Sequence, residues 1–389
     1  MELRRRRLVL AGYGAVGRAL TALLAQAHDE LAQRYGLAFD VTAVATRRSG
    51  LLVTPDGVGP DMLAAIPQGR DTSRTPGLAQ TTVSPDLAQA AAPPDLAQAA
   101  APPGPTRAAA SHGGTWPDLR SFLADPAAPY DVLVEITTQS PADGEPAATH
   151  LRAALGSGHD VVTANKGPIA WHEADLRRIA ATTGARLRYE AALMDCLPAH
   201  PIRESIVPVG RVVAFAGIVN ATTNGILSAM AVGRGAAEAL AEAQRSGQAE
   251  ADPRNDIEGH DAALKSTVLA NLLLDPPELL TPASVDRRGL DTMPEGWPAE
   301  AAARGARVRL VARGESRGEG PTRTVHVRVA PEELPADDSL AAVGGTAMAL
   351  RIESEYGGKL QLTLLAGPVQ STAYAILMDL VALERGAGR

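Results

Sequence analysis

Short apolar runs and longer amphipathic stretches alternate along the first part of the chain. Leu8-Val-Leu-Ala11 is apolar throughout; Val16, Leu20, Leu23, Leu24, Ala27 and Leu31 then recur at three- and four-residue steps, the spacing of one helical face, until Gly36 supplies a stop. Phe39–Ala45 is a second strand-like run. Further on, Tyr130–Ile136 predicts a buried strand and Glu145–Leu155 a helix closed at Gly156 or Gly158. His159–Thr163 predicts a strand, Glu173–Thr182 a helix capped by Gly184, and Arg186–Ala191 another strand. Strands alternating with helices predict an α/β fold with a parallel sheet and right-handed crossovers.

After Pro198 the pattern changes. It predicts a strand at Arg211–Val219, one long helix over Ile226–Arg245 closed by Gly247, and a helix over Asp261–Leu274. Strands follow at Val308–Ala312, Thr324–Val329, Leu350–Glu355 and Leu360–Leu365, the last two joined at Gly357-Gly358, before a final helix at Thr372–Leu383.

Composition narrows the class. With 389 residues, 45% of them apolar, the chain can bury a large core and form two or three domains. A net charge of −7 argues against general binding to nucleic acids or acidic membranes. A single cysteine, Cys196, excludes an intramolecular disulfide framework and a cysteine-rich metal site. No apolar run is long enough to span a bilayer, and the run after Arg4–Arg7 is too short for a signal sequence, so a cytoplasmic location is expected. Between about Asp71 and Thr115 the sequence is Ala- and Pro-rich, and the nine residues Pro85–Pro93 recur almost verbatim as Pro94–Pro102. This reads as a low-complexity surface insertion.

The first chemical signal is Gly12-x-Gly14-x-x-Gly17, which closes a predicted strand and opens a helix. There, glycines permit a tight turn and the helix N-terminus receives a pyrophosphate. Where the second strand ends, an acidic residue would bind an unphosphorylated ribose; this chain has Arg47 and Arg48 instead. Guanidinium groups suit a 2′-phosphate, so NADP is expected, with NAD as the alternative.

The second signal lies between Gly247 and Lys265, where Glu250, Asp252, Asp256, Glu258 and Asp261 precede a lysine. Asp261 and Lys265 are four residues apart on a helix that is apolar almost all round, so the pair does not sit on a free solvent face. A partly buried lysine beside a carboxylate can transfer a proton, as hydride chemistry requires. Of the 37 basic residues only Lys166, Lys265 and Lys359 are lysine, and arginine cannot replace a lysine that shuttles a proton.

The run Glu250-Ala-Asp-Pro-x-x-Asp256-x-x-Gly259-x-Asp261-x-x-x-Lys265 resembles the signature of the homoserine dehydrogenases. The glycine motif, Thr163-Ala-Asn165-Lys166, Tyr189–Pro198, Asn220–Leu227 and the terminal Gly367–Leu380 stretch agree with it in order. The likeness spans nearly the whole chain outside the insertion and corresponds to the short form of the family. It implies NAD(P)-dependent interconversion of L-homoserine and L-aspartate 4-semialdehyde, with Lys265 as proton-transfer group, Asp261 as its partner and Lys166 as a second active-site lysine. It further implies substrate contacts from Glu250, Asp256 and Thr222. Cofactor contacts would come from Gly12, Gly14, Ala15, Val16, Gly17, Thr137 and Lys166. A monovalent cation such as Na⁺ would be held on the loop of Glu190 and Leu193. The sequence departs from the pattern at Cys196 and Ala221, where the family carries glycine. On the residues alone, a nucleotide-binding sensor without turnover and a dehydrogenase of another amino acid stay open. Cys196 between Asp195 and Leu197 reads as inert rather than nucleophilic, and the histidines form no metal-binding pattern.

The expected organisation is a Rossmann-type nucleotide domain over residues 1–197, completed by 366–389, and an α+β substrate region over 198–321. Strands in 322–365 are expected to pair across the two-fold axis of a homodimer, because isolated edge strands need covering. Deleting residues 76–110 is expected to leave activity largely intact; loss of soluble, folded protein on that deletion would show the insertion to be structural.

Overall fold

The computed structural model describes residues 3–67 and 116–385 apart from Ala366 and Pro368; the low-complexity segment lies outside the described residues. The front of the chain builds a six-stranded sheet from β1 (Arg4–Ala11), β2 (Leu37–Thr46), β3 (Gly50–Val53), β4 (Val132–Glu135), β5 (Asp160–Thr163) and β6 (Leu187–Arg188), in the order β3-β2-β1-β4-β5-β6. Every pairing is parallel except β2 with β3. The turn Arg47–Ser49 is too short for a crossover, so β3 can only fold back as a hairpin. β4 and β5 are buried along their whole length, as strands covered on both faces are.

Several elements differ from the pattern reading. The first amphipathic stretch is two helices, Ala15–Gln26 and His28–Tyr35, and the second begins with Asp29 and Glu30 in its first turn, where acidic residues favour a fresh helix start. The expected helix over Ile226–Arg245 is also two, Ala221–Ala231 and Ala236–Arg245, separated where Gly233 takes a left-handed φ of 89°. The helix expected from Glu173 starts at Lys166, with Pro168 in its first turn, where a missing N–H costs nothing. The strand expected over Arg186–Ala191 stops at Arg188, because Glu190 turns inward and bonds elsewhere.

A second sheet follows, made of β7 (Val212–Ile218), β8 (Val285–Arg287), β9 (Arg307–Arg317), β10 (Thr324–Leu334), β11 (Met348–Ser354) and β12 (Gly358–Leu364), in the order β12-β11-β7-β9-β10-β8. The strands of 324–364 are therefore not isolated. They pair with β7 and β9 of the same chain, which removes the reason given for pairing them across a two-fold axis. Helix His260–Leu273 packs on one face through Leu264, Val268 and Leu269 against Val308, Leu310 and Val329. The opposite face is smaller, with Ile218, Val311 and Ala349 covered by Leu340, Val343 and Ala347 of the segment before β11.

The final helix, Val369–Arg385, returns to the first sheet. Ala373, Ile376, Leu377, Leu380 and Leu383 join Leu8, Leu10, Leu20 and Val134 in one apolar cluster. Ion pairs hold its end. Arg6 lies 2.8 Å from Asp160 and 2.9 Å from Glu384, Arg4 lies 2.9 Å from Glu384, and Arg186 lies 2.6 Å from Asp160. Arg5 and Arg7 pair with Asp40 and Asp131 at the surface, so every arginine of the four-residue run has an acidic partner and only Arg6 is largely buried. Burial alone would push the Asp160 carboxyl up, but hydrogen bonds from Arg186 and Arg6 outweigh it and hold the group below its ordinary value. A lowered carboxylate contributes stability that is present above the unfolded value of about 4 and is lost as pH falls through the folded one. Asp160→Ala is expected to destabilise the fold by about 2 kcal/mol at neutral pH. The difference from wild type should shrink below pH 4, read from urea melts across that range.

Candidate active site

The glycine motif sits where β1 ends and helix Ala15–Gln26 begins. Gly12 has φ of 101°, and a Cβ there would lie 2.5 Å from the Ile136 carbonyl oxygen; one at Gly17 would lie 3.1 Å from the side chains of Ile136 and Tyr13. These two glycines serve the turn and the packing of the helix onto the segment that leaves β4 at Ile136. Gly14 has open space where its Cβ would be, and with Ala15 it is exposed at the helix N-terminus. Backbone N–H groups there fit a pyrophosphate. Arg47 and Arg48 are exposed on the turn between β2 and β3.

Beside this turn is a cleft of about 240 Å³. Val16, Ile136, Thr137 and Gln139 line it together with Asn165 and Lys166, Ala191–Leu193, Asp195, Thr372 and Lys265. Of the residues expected from the sequence, Val16, Thr137, Lys166, Leu193 and Lys265 thus share one cavity.

Asp261 lies at its back, 5% exposed. Lys166 Nζ is 3.0 Å from its Oδ1, Lys265 Nζ is 3.1 Å from its Oδ2, and Asn220 Nδ2 donates to Oδ2 at 2.9 Å. Lys166 also donates to Gln139 Oε1 at 2.8 Å, and Lys265 donates to the Val219 carbonyl at 2.9 Å. Lys166 opens helix Lys166–Thr183, so that helix and His260–Leu273 each deliver one ammonium to one carboxylate. Asn220 does more: its amide also donates to Asp256 Oδ1 at 2.8 Å, while its carbonyl oxygen caps helix Ala221–Ala231 by accepting from the Thr223 N–H.

The electrostatics follow from this arrangement. Burial opposes the Asp261 charge, but Lys166 and Lys265 overwhelm it and hold the carboxyl far below its usual range. Burial also opposes the Lys265 ammonium, yet Asp261, Asp195 and Asp256 outweigh it and raise its proton affinity. The Asp256 carboxyl is pushed up by burial and by the nearby Asp261 charge.

Other residues stand apart. Thr222 Oγ1 donates to the Gln248 carbonyl at 2.8 Å, and Glu250 is exposed on the following loop. Glu190 is buried, and its carboxylate accepts from the backbone N–H of Ala199 and His200 and lies 3.2 Å from His200 Nδ1. Its own N–H donates to Asp379 Oδ2 at 2.7 Å, and its carbonyl accepts from the N–H of Leu193. Both side-chain oxygens of Glu190 thus help to close the 190–200 loop, and Leu193 is buried within it. Cys196 is half-buried, and burial and the Asp195 charge push its thiol up, which disfavours the thiolate. Lys359 lies on the exposed strand β12, 3.6 Å from Glu353.

The family model for the NAD-binding domain of homoserine dehydrogenase matches residues 12–190, and the model for homoserine dehydrogenase matches 199–381. The chain belongs to the homoserine dehydrogenase family. It is 30% identical over 384 residues to the NAD(+)-dependent homoserine dehydrogenase of Pseudomonas canavaninivorans, covering 98% of this chain and 97% of that one. It is 28% identical over 376 residues to the homoserine dehydrogenase of Methanocaldococcus jannaschii, covering 96% and 97%. A solved putative homoserine dehydrogenase from Archaeoglobus fulgidus superposes with a TM-score of 0.71 at 25% identity, covering 97% of this chain and 99% of that one. A homoserine dehydrogenase from Thermoplasma acidophilum shares the fold with a TM-score of 0.72 at 22% identity, covering 98% and 100%. The chain is accordingly an oxidoreductase that uses a nicotinamide cofactor to interconvert L-homoserine and L-aspartate 4-semialdehyde. Among the described residues no helix is long and apolar enough to cross a membrane.

The sequence points to Asp256, Asp261, Lys166 and Lys265 but not to Asn220, because the helix that Asn220 caps is expected there only from Ile226 and in fact begins at Ala221. Asn220→Asp preserves the capping oxygen while placing a third carboxylate between Asp256 and Asp261. It is expected to lower turnover by about 100-fold with a smaller loss of stability, because the three carboxylates repel one another, raise one another's proton affinity and pull Lys166 and Lys265 out of line with Asp261. Steady-state rates beside thermal melts check this; equal losses in both would overturn it.

Proposed function

We propose that Lys265 is the proton-transfer group of the reaction. The supporting observation is its ammonium, held between Asp261 and the Val219 carbonyl on the wall of the cleft that the glycine turn also borders. In the reductive direction Lys265 Nζ gives its proton to the aldehyde oxygen as that oxygen becomes a hydroxyl, and in the oxidative direction the neutral amine takes it back. Lys166 is the second cation, set to stabilise charge growing on that oxygen. Asp261 orients both. Glu250 and Asp256 are the proposed acceptors for the substrate ammonium, and Thr222 is a further proposed substrate contact. The bound nicotinamide supplies or accepts the hydride. Its pyrophosphate would rest on Gly12, Gly14, Ala15, Val16 and Gly17, with Thr137 and Lys166 on the nicotinamide side.

For the ribose, the reading favours NADP, on the exposed pair Arg47 and Arg48 and the lack of an acidic residue in the β2–β3 turn. The Pseudomonas canavaninivorans relative is named NAD(+)-dependent, so the comparison between the two dinucleotides is part of the test. A monovalent cation on the carbonyls of Glu190 and Leu193 enters none of these steps. The chain is proposed to work in the cytoplasm as a homodimer built on the second sheet, whose outer strand β12 presents an open edge flanked by exposed Tyr356 and Leu365. Light scattering at the mass of one chain would end the dimer proposal.

Lys265→Met is expected to reduce homoserine oxidation by about 10²–10⁴-fold without loss of nucleotide binding. In the wild type, oxidation needs the neutral amine, and the raised proton affinity of Lys265 places that limb above the ordinary lysine value of about 10.4. The oxidation rate should still be climbing at pH 9, while aldehyde reduction stays flat. Assays with NAD and NADP over that range check both points; a plateau in oxidation near neutrality would remove Lys265 from the role.

A further inference from the structure

Glu135, the last residue of β4, is a fully buried carboxylate that the proposed mechanism leaves unused. Burying such a group is costly unless its oxygens are hydrogen-bonded. Here the two oxygens serve different walls of the cleft. Oε1 accepts from the Thr137 backbone N–H at 3.3 Å and from the Thr137 hydroxyl, and Oε2 accepts from the Asn165 amide. The Asn165 amide also reaches the Thr137 carbonyl at 3.1 Å, which closes the ring of contacts. Among the described residues no lysine or arginine pairs with the carboxylate, and His150 Nδ1 stands 3.5 Å from Oε1.

Two features show that the arrangement constrains the backbone. Asn165 occupies the N-cap of helix Lys166–Thr183, a position where Asn ordinarily bonds its own helix, yet its side chain makes no capping bond and is spent on Glu135. Next to it the backbone is pressed closely against the segment after Thr137: a Cβ at Gly167 would lie 2.6 Å from the Ser140 carbonyl oxygen and 2.7 Å from the Gly144 Cα. Glu135 therefore fixes Asn165, and Asn165 fixes the first residue of the helix, Lys166.

We infer that Glu135 is a positioning residue that sets the width of the nicotinamide cleft. Its buried carboxylate ties Thr137 on one wall to Asn165 on the other, and so places Lys166 against Asp261. An acceptor-only group is required: a Gln amide at this place offers one oxygen and two donors, and the donors would face the Asn165 amide or the Thr137 N–H. The inference rests on the proposed role of Lys166 for its catalytic consequence and on the geometry alone for its effect on the cleft.

The test compares wild type with Glu135→Gln and Asn165→Ala. NADH and NADPH binding is followed by nicotinamide fluorescence, with kcat, the KM for homoserine and thermal melts measured alongside. Glu135→Gln is expected to weaken dinucleotide binding and to lower kcat by about tenfold each, with the homoserine KM nearly unchanged. Asn165→Ala should show the same pattern, and the double variant should be no worse than Glu135→Gln alone, since both cut one tie. If Glu135→Gln does not fold, Asn165→Ala carries the comparison by itself. A lower melting temperature with unchanged dinucleotide affinity and unchanged kcat per folded molecule would overturn the inference and leave Glu135 a packing residue. Wild-type protein that binds dinucleotide without oxidising homoserine would defeat the proposed role of Lys265, while the affinity comparison would still judge Glu135.

Discussion

The structure turns on one carboxylate, Asp261, which is buried between two ammonium groups and an amide. A charge placed there alone would be expelled or neutralised, so each partner is needed to keep the others in place. The partners come from separate parts of the chain. Lys166 begins the helix that follows β5 of the nucleotide sheet, Lys265 shares the helix of Asp261, and Asn220 ends the segment after β7 of the second sheet. A single electrostatic knot therefore registers the two sheets against each other at the cleft where they meet. The apolar core agrees with it: one buried cluster runs from Val9 and Leu133 through Tyr189 and Leu197 to Val308 and Ile352. Apolar packing brings the sheets together without specifying their alignment to a fraction of an ångström, and the directional contacts at Asp261 supply that precision.

How much of this was legible in the sequence depends on whether a feature is local. Asp261 and Lys265 are one helical turn apart, so their pairing could be read from spacing, as could the turn of Gly12 and Gly17. Lys166 is about a hundred residues away, and only its rarity among arginines and the family likeness marked it. The part of Asn220 could not be read, because a helix-capping Asn looks the same whether or not its amide also joins two aspartates. Glu135 was hidden in a similar way: at the end of an apolar strand it reads as a strand terminus, and its contacts with Thr137 and Asn165 exist only once β5 lies beside β4. The helix breaks at Ala27 and Gly233 were missed because apolar spacing continued across them, and backbone geometry rather than periodicity decides where a helix stops.

The loop between β6 and β7 shows how a buried acid can be structural and still serve the site. Glu190 turns inward, accepts from two backbone N–H groups of the same loop and donates its own N–H to Asp379 of the final helix. Burial, together with the Glu190 charge, pushes the Asp379 carboxyl up to about 6 against the pull of His200 and Arg188. The loop so closed carries Ala191, Ala192, Leu193 and Asp195 into the cleft, and Thr372 of the final helix donates to Asp195 at 2.9 Å. The last helix is thus more than a lid on the first sheet. Its Thr372 holds Asp195 in the lining of the cleft, while the ion pairs of Arg6, Asp160 and Glu384 tie its far end to the first sheet.

The charge state of the site also decides how pH acts on the proposed proton transfer by Lys265. With Asp261, Asp256 and Asp195 around it, Lys265 keeps its proton at neutral pH, and an aldehyde entering the cleft meets a donor already charged and aimed by two acceptors. Oxidation of the alcohol must first remove that proton from the field of the carboxylates that stabilise it. Catalytic groups usually work best when their proton affinity lies near the working pH, and a lysine raised above its normal value departs from that rule for a base while satisfying it for an acid that needs only to stay protonated until the oxygen becomes basic. On the proposed role of Lys265, the same Asp261 that assembles the site thus keeps the proton on the amine until alkaline pH, and an arginine in place of Lys265 could keep the charge but could never release the proton.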